Sequence, residues 1–95
     1  MDFDKIVERQ LWLVDSKTNR KIDLQIEIGR PQWTIPETEA RCSVYIRGLM
    51  IEPIDIFGSD LLNALECSLN FIENELKNHS KDWSVQWPGG ELYFN

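Results

Sequence analysis

From Lys21 to Ile28 the chain alternates without a break, with Ile22, Leu24, Ile26 and Ile28 set against Lys21, Asp23, Gln25 and Glu27. Successive side chains of an extended strand point to opposite faces, whereas a helix returns to one face every three to four residues. A strict period of two over this length therefore specifies a half-buried strand. Such a strand needs partners for its backbone and a cover for its aliphatic face, and both must come from the rest of the chain.

The neighbouring segments supply them. Lys5–Val14 is extended in character, with Val7, Leu11 and Leu13 on one parity and Ile6, Trp12 and Val14 on the other. The turn-forming run from Asp15 to Asn19 then links it to the alternating strand as an antiparallel hairpin. Apolar residues on both parities predict that the second face of this strand is partly covered. Gly29–Glu39 holds Pro31 and Pro36, which cannot donate to a strand ladder, and is expected to be a loop of about ten residues carrying Trp33 and Ile35. Ala40–Arg47 resumes alternation with Ala40, Cys42, Val44 and Ile46 inward, and Ile54–Phe57, just after Pro53, is expected as a short edge strand.

A helix is predicted from Ser59 to Asn78, roughly 30 Å long, with Ser59 as N-cap, Asp60 favouring the positive end of the helix dipole and Asn78 ending it. Leu61, Leu65, Leu69, Ile72 and Leu76 fall within roughly 80° of arc. Asn63, Glu66, Asn70, Glu73, Asn74 and Lys77 take the opposite side, with Cys67 at its margin. The tail, 82–95, gathers Trp83, Trp87, Tyr93 and Phe94 around Pro88-Gly89-Gly90, and Trp83, Val85 and Trp87 share strand parity. These elements give an α+β fold: an antiparallel meander of three or four strands with one long C-terminal helix packed on one face, in a single domain over 1–95.

Charge bears on partners. Residues 1–50 hold eight basic and eight acidic residues, so the whole net charge of −6 lies in the second half. Gly48–Leu76 has no lysine or arginine yet carries Glu52, Asp55, Asp60, Glu66, Glu73 and Glu75. With a pI near 4.6 the chain lacks the basic footprint that nucleic acid or an anionic membrane demands. No apolar run approaches the roughly 18 residues that span a bilayer, and the charged start MDFDKIVERQ shows no secretory signal, so a cytoplasmic location is expected.

Catalytic and metal signatures are weak. Cys42 and Cys67 are too few and too far apart for a disulfide framework or a zinc site, and His79 has no nucleophile or orienting group tied to it by spacing. Glu52 and Asp55 flank a proline in a solvated loop, and Gly89-Gly90 precedes no helix, as a phosphate loop would. No catalytic residue, metal ligand or cofactor site is assigned, and the balance leans away from an enzyme.

The expectation is a non-enzymatic protein-binding domain. Its sharpest form is an immunity- or antitoxin-like protein whose acidic face, with Glu66, Asn70 and Glu73, covers a basic protein partner. Trp33, Trp83 and Trp87 are the other candidate partner-binding residues. In the alternative they line a pocket between sheet, 29–39 loop and tail, suited to a small ligand or an enzymatic role. Homodimerisation through an edge strand or the tail is a third arrangement.

Arg41-Cys42-Ser43-Val44-Tyr45-Ile46-Arg47-Gly48, followed by Gly58-Ser59-Asp60-Leu61-Leu62-Asn63-Ala64-Leu65, resembles a family of small bacterial proteins of unknown function. That family shows R-C-x-x-x-I-x-G in a strand, then G-x-D-x-x-x-A-L opening a long helix, then a late tryptophan, here Trp83 or Trp87. Ile28-Gly29-Arg30-Pro31 fits its strand end, and Asn63 stands where it usually has glutamine. The resemblance covers roughly residues 24–87. It implies bacterial origin and this fold, with architectural roles for Gly58, Asp60, Ala64 and Leu65, and it implies no activity.

Overall fold

The hairpin expected at the start of the chain organises the sheet. The computed structural model describes residues 3–94; Met1 and Asp2 of the expected domain and Asn95 of the expected tail lie outside the described residues. Strand β1 (Lys5–Asp15) pairs antiparallel with β2 (Lys21–Gly29) from Val7↔Ile28 to Val14↔Lys21. Asp15 closes the turn: its N–H donates to the Arg20 carbonyl at 2.8 Å, and its Oδ1 accepts from the Lys17 N–H at 2.8 Å. Asn19 takes φ 61°, a left-handed conformation that asparagine tolerates. At the other end of β1 the register slips between Lys5 and Val7, a bulge that turns Lys5 toward the face carrying Glu27, 3.6 Å away.

Residues 29–39 are not a plain loop. Gln32–Ile35 form β3, which pairs with β4 (Glu39–Arg47) on the same edge as β2, from Gln25↔Arg47 to Ile28↔Val44 and then from Gln32↔Arg41 to Ile35↔Glu39. Together β2 and β3 are one bent arm. The register slips by one residue across Gly29-Arg30-Pro31 and by one more after Trp33. Pro31 is tolerated because it sits in the first irregularity, where no ladder donor is required, and Pro36 because it lies in the turn. Strand β5 (Ile54–Gly58) takes the opposite edge of β4, and β6 (Trp83–Gln86) pairs with β1 from Trp12↔Gln86 to Asp15↔Trp83. The order across the sheet is therefore β5, β4, the β2–β3 arm, β1, β6: six strands rather than three or four.

One face of this sheet is the core. Leu11, Leu13, Leu24, Ile26, Ile28, Ala40, Cys42, Val44, Ile46 and Val85 are buried there. The other face carries polar residues and aromatic rings lying under cations, with Lys21 Nζ 4.1 Å from the Trp12 ring and the Arg47 guanidinium 4.5 Å from that of Tyr45. On β1 itself the expected cover of the second face reaches Trp12, under Lys21, while Ile6 stays exposed.

Helix α1 (Leu61–His79) closes the core face, packing on β4, β5 and β6. Its N-cap is Asp60, one residue later than expected. Asp60 is extended at φ −154°, its Oδ1 accepts from the Asn63 N–H at 2.7 Å, and Asn63 Oδ1 in turn accepts from the Ser59 N–H at 2.9 Å. Ser80 rather than Asn78 is the C-cap, its N–H reaching the Leu76 and Lys77 carbonyls at 3.1 Å.

The helix is also rolled relative to its leucine arc. The buried row is Ala64, Ser68, Ile72 and Leu76, about 40° from the centre of that arc. Leu69 stays 48% exposed and Leu62 65%. The cause is steric. A Cβ on Gly58 would collide with the backbone of Ala64, so the helix start lies against β5 at a distance only glycine and small helix residues permit. Gly58 thus acts through close approach, with no unusual backbone angle. Ser68 fits the row because its hydroxyl donates to the Ala64 carbonyl at 2.8 Å and leaves no bare polar group in the core.

Candidate functional site

Rolling α1 toward its small residues opens a groove on its leucine side. The groove holds about 390 Å³ and is lined by Val7, Arg9, Ile26, Ile28, Leu69, Ile72, Glu73 and Tyr93, with Glu8 at its margin. Its floor is the buried pair Ile26 and Ile28, and its walls are α1 and the N-terminal half of β1. In β1 the inward parity passes from Leu13 and Leu11 to Arg9 and Val7, from a covered half to an uncovered one, and Lys5–Gln10 are all exposed.

A polar chain closes one end. Tyr93 Oη accepts from Arg9 Nη1 at 3.0 Å and donates to Glu73 Oε1 at 2.5 Å. Burial, followed by the adjacent Glu73 carboxylate, pushes the Tyr93 hydroxyl above its ordinary pKa, so it stays a donor near neutral pH. The tail positions this tyrosine by folding back on β6. Trp87 N–H donates to the Glu91 carbonyl at 2.7 Å, Tyr93 N–H donates to that of Val85 at 2.9 Å, and Gly89 and Gly90 adopt φ 108° and 99° to make the reversal. The Tyr93 ring then lies 5.1 Å from that of Trp87 and 5.0 Å from that of Phe94. The Arg9 guanidinium sits 5.1 Å from the Trp87 ring.

The same reversal ends the sheet early. Pro88 offers no N–H and that of Trp87 is committed to Glu91, so β6 pairs with β1 only at Trp12–Asp15. Among the described residues no strand pairs with the other edge of β1 between Ile6 and Gln10.

The predicted residues are dispersed by comparison. Glu66 and Asn70 are exposed on α1, whereas Glu73 is bound to Tyr93. Trp33 lies on β3, in the β2–β3 arm, while Trp83 and Trp87 lie on and just beyond β6, on the far side of β1. The three tryptophans therefore do not line one pocket, and only Trp87 borders the groove, through Arg9. Nor do the acids of Gly48–Leu76 form one face. Asp55 accepts from Ser43 Oγ at 2.7 Å and Arg41 Nη1 at 3.0 Å on the sheet surface away from α1, and Asp60 caps the helix. The Ser43 hydrogen bond, and then Arg41, hold the Asp55 carboxyl below its ordinary pKa.

Val7, Arg9 and Tyr93 were not singled out in the sequence as binding residues. The available signal was Arg9 itself, a charge on the parity that Leu11 and Leu13 mark as inward.

Elsewhere the polar groups are structural. Glu27 is only 5% exposed, and its carboxylate accepts from Gln25 Nε2 at 2.7 Å and Arg47 Nε at 3.2 Å. Burial alone would raise its pKa, but Arg47, Lys5 and Gln25 outweigh burial and leave it lowered. Burial pushes the Cys42 thiol up, away from thiolate chemistry. Among the described residues no three His, Cys, Asp or Glu side chains are grouped to hold a metal ion, and no helix is long and apolar enough to cross a membrane. Comparison with family models, with curated proteins and with solved structures found no match.

Proposed function

We propose that this chain is a non-enzymatic protein-binding domain whose working surface is the groove between α1 and the open half of β1. One observation carries the reading: an apolar trough, walled by Leu69 and Val7 and ended by the Arg9–Tyr93–Glu73 chain, runs beside a strand edge that has no partner among the described residues. Apolar surface flanked by oriented polar groups is the usual composition of an interaction site. The resemblance to small bacterial proteins of unknown function is compatible with such a role. The sharper immunity- or antitoxin-like form, in which an acidic face masks a basic protein, keeps Glu66 and Asn70 as exposed residues but has Glu73 already engaged by Tyr93.

The test is capture from lysate with the tagged chain, compared with Leu69→Asp and Glu66→Lys variants of unchanged unfolding midpoint. Both positions are exposed, so neither change disturbs the core. A stoichiometric partner lost with Leu69→Asp supports the groove, and one lost only with Glu66→Lys moves the site to the acidic side of α1. A partner retained by both variants overturns the reading.

The groove volume favours a second reading, since about 390 Å³ lies within the roughly 300–1,000 Å³ typical of small-molecule sites. An empty capture column together with a saturable Trp87 fluorescence change on metabolite titration would establish it in place of protein binding.

A further inference from the structure

We propose that the open edge of β1 takes up an extended segment of another polypeptide as an additional strand, continuing the line of β6 past Pro88. The inference rests on the groove being a protein-binding site and names what it binds. Strand addition draws its affinity from main-chain hydrogen bonds and its specificity from alternate side chains. Both are available here. The backbone from Ile6 to Gln10 is exposed and, among the described residues, unpaired on that edge, and every second side chain of an added strand would point into the groove.

Charge sets the sequence of the guest. A segment running antiparallel to β1, as β6 does, meets Arg9, then Glu8, then Val7. Among the described residues Arg9 has no carboxylate partner; its guanidinium bonds the Tyr93 hydroxyl and lies over Trp87. An acidic side chain opposite Arg9, a basic one opposite Glu8, which Lys5 already holds at 3.0 Å and which therefore selects least, and an apolar one opposite Val7 match this edge position by position. The preferred guest, read from its N-terminus, is acid–base–apolar, with the first and third side chains on the groove side and the second on the other face.

The same residues disfavour a second copy of the chain. A two-fold axis normal to the sheet keeps like faces together, so a β1–β1 pair centred on Glu8 opposes Glu8 to itself and one centred on Arg9 opposes Arg9 to itself. Centring on Val7 runs into the irregular register between Lys5 and Val7. Charges and a bulge on an edge are the usual guard against self-pairing, and here they leave the edge available to a complementary strand.

The experiment pans short synthetic peptides with a randomised central triplet against the full chain and follows by hydrogen exchange those Ile6–Gln10 amides that point away from β2. Enriched acid–base–apolar triplets, slowed exchange at those amides and loss of binding on backbone N-methylation of the peptide are the expected results. Arg9→Glu should weaken the best peptide about tenfold, with affinity recovered when its acid is replaced by lysine. Peptides enriched with helical spacing and unchanged β1 amides would overturn strand addition while leaving the groove as a binding site. Light scattering showing a dimer, with those amides already protected, would assign the edge to a second copy. No peptide binding, with a lysate partner still lost on Leu69→Asp, would refute the inference and spare the broader reading.

Discussion

The two halves of β1 are one continuous strand with opposite fates. From Trp12 to Val14 it is paired on both edges, and Leu11 and Leu13 are fully buried; from Ile6 to Gln10 it is exposed and, among the described residues, paired on one edge. Hydrogen bonding to β2 is common to both halves, so pairing on that side does not separate them. Two neighbours do: β6, which Pro88 stops short, and α1, which is rolled toward Ala64 and Ser68. A strand's alternation tells which side chains face inward, but only the neighbouring elements decide whether inward means buried.

That contrast can be broken by mutation. Leu13→Ala should lower unfolding free energy by about 2–5 kcal/mol, as for a fully buried leucine, whereas Val7→Ala should cost under about 1 kcal/mol. Urea unfolding of the two variants checks this, and comparable costs would mean that the open half is covered in solution. Tyr93→Phe comes next, at about 1 kcal/mol, because Glu73 and Arg9 lose their shared hydroxyl at a partly solvated site. An unfolding midpoint that does not move would show the polar chain to be dispensable for stability.

A pH series sharpens the comparison from the opposite sheet face. The carboxyls of Glu27 and Asp55 are both held low in the folded chain, so their charged forms favour folding. That contribution is complete above the ordinary carboxylate range near about pH 4 and disappears as pH falls through the lower folded values. Acid unfolding should therefore be blunted in Glu27→Gln relative to the parent, and an identical acid limb would contradict the ion cluster. The smallest change is Glu8→Gln on the exposed half of β1. It should stay within about 0.5 kcal/mol of the parent, since its partner Lys5 is a solvent-exposed ion pair.

Much of the fold was legible because its information is local. The alternating segments around Leu24 and Val44 are strands, and the helix is found within two residues of its expected ends. Strand β3 was hidden because Pro31 and Pro36 look like loop residues, and a register slip that accommodates proline leaves no periodic trace. The roll of α1 was hidden for another reason. Counting leucines finds the most apolar side of a helix, whereas the sheet admits the smallest one once Gly58 sets the distance. The groove was least legible, since Arg9 and Tyr93 stand 84 residues apart and meet only after the tail reverses. Glu73 was selected for its charge as a docking residue; its bond to Tyr93 is a tertiary fact.

Because Gly58 leaves no clearance against Ala64, the start of α1 is a clamped end and the rest of the helix is a lever. The helix is 19 residues, about 28 Å. A tilt of roughly 5° about the clamp would swing Leu69 sideways by about 0.7 Å and Glu73 by about 1.2 Å while Ala64 stayed in place. The gap between lever and sheet is then gauged by Tyr93, wedged between Glu73 on the moving arm and Arg9 on the fixed plate. The last turn of the chain is in this sense a spacer, and the groove is as wide as a tyrosine makes it.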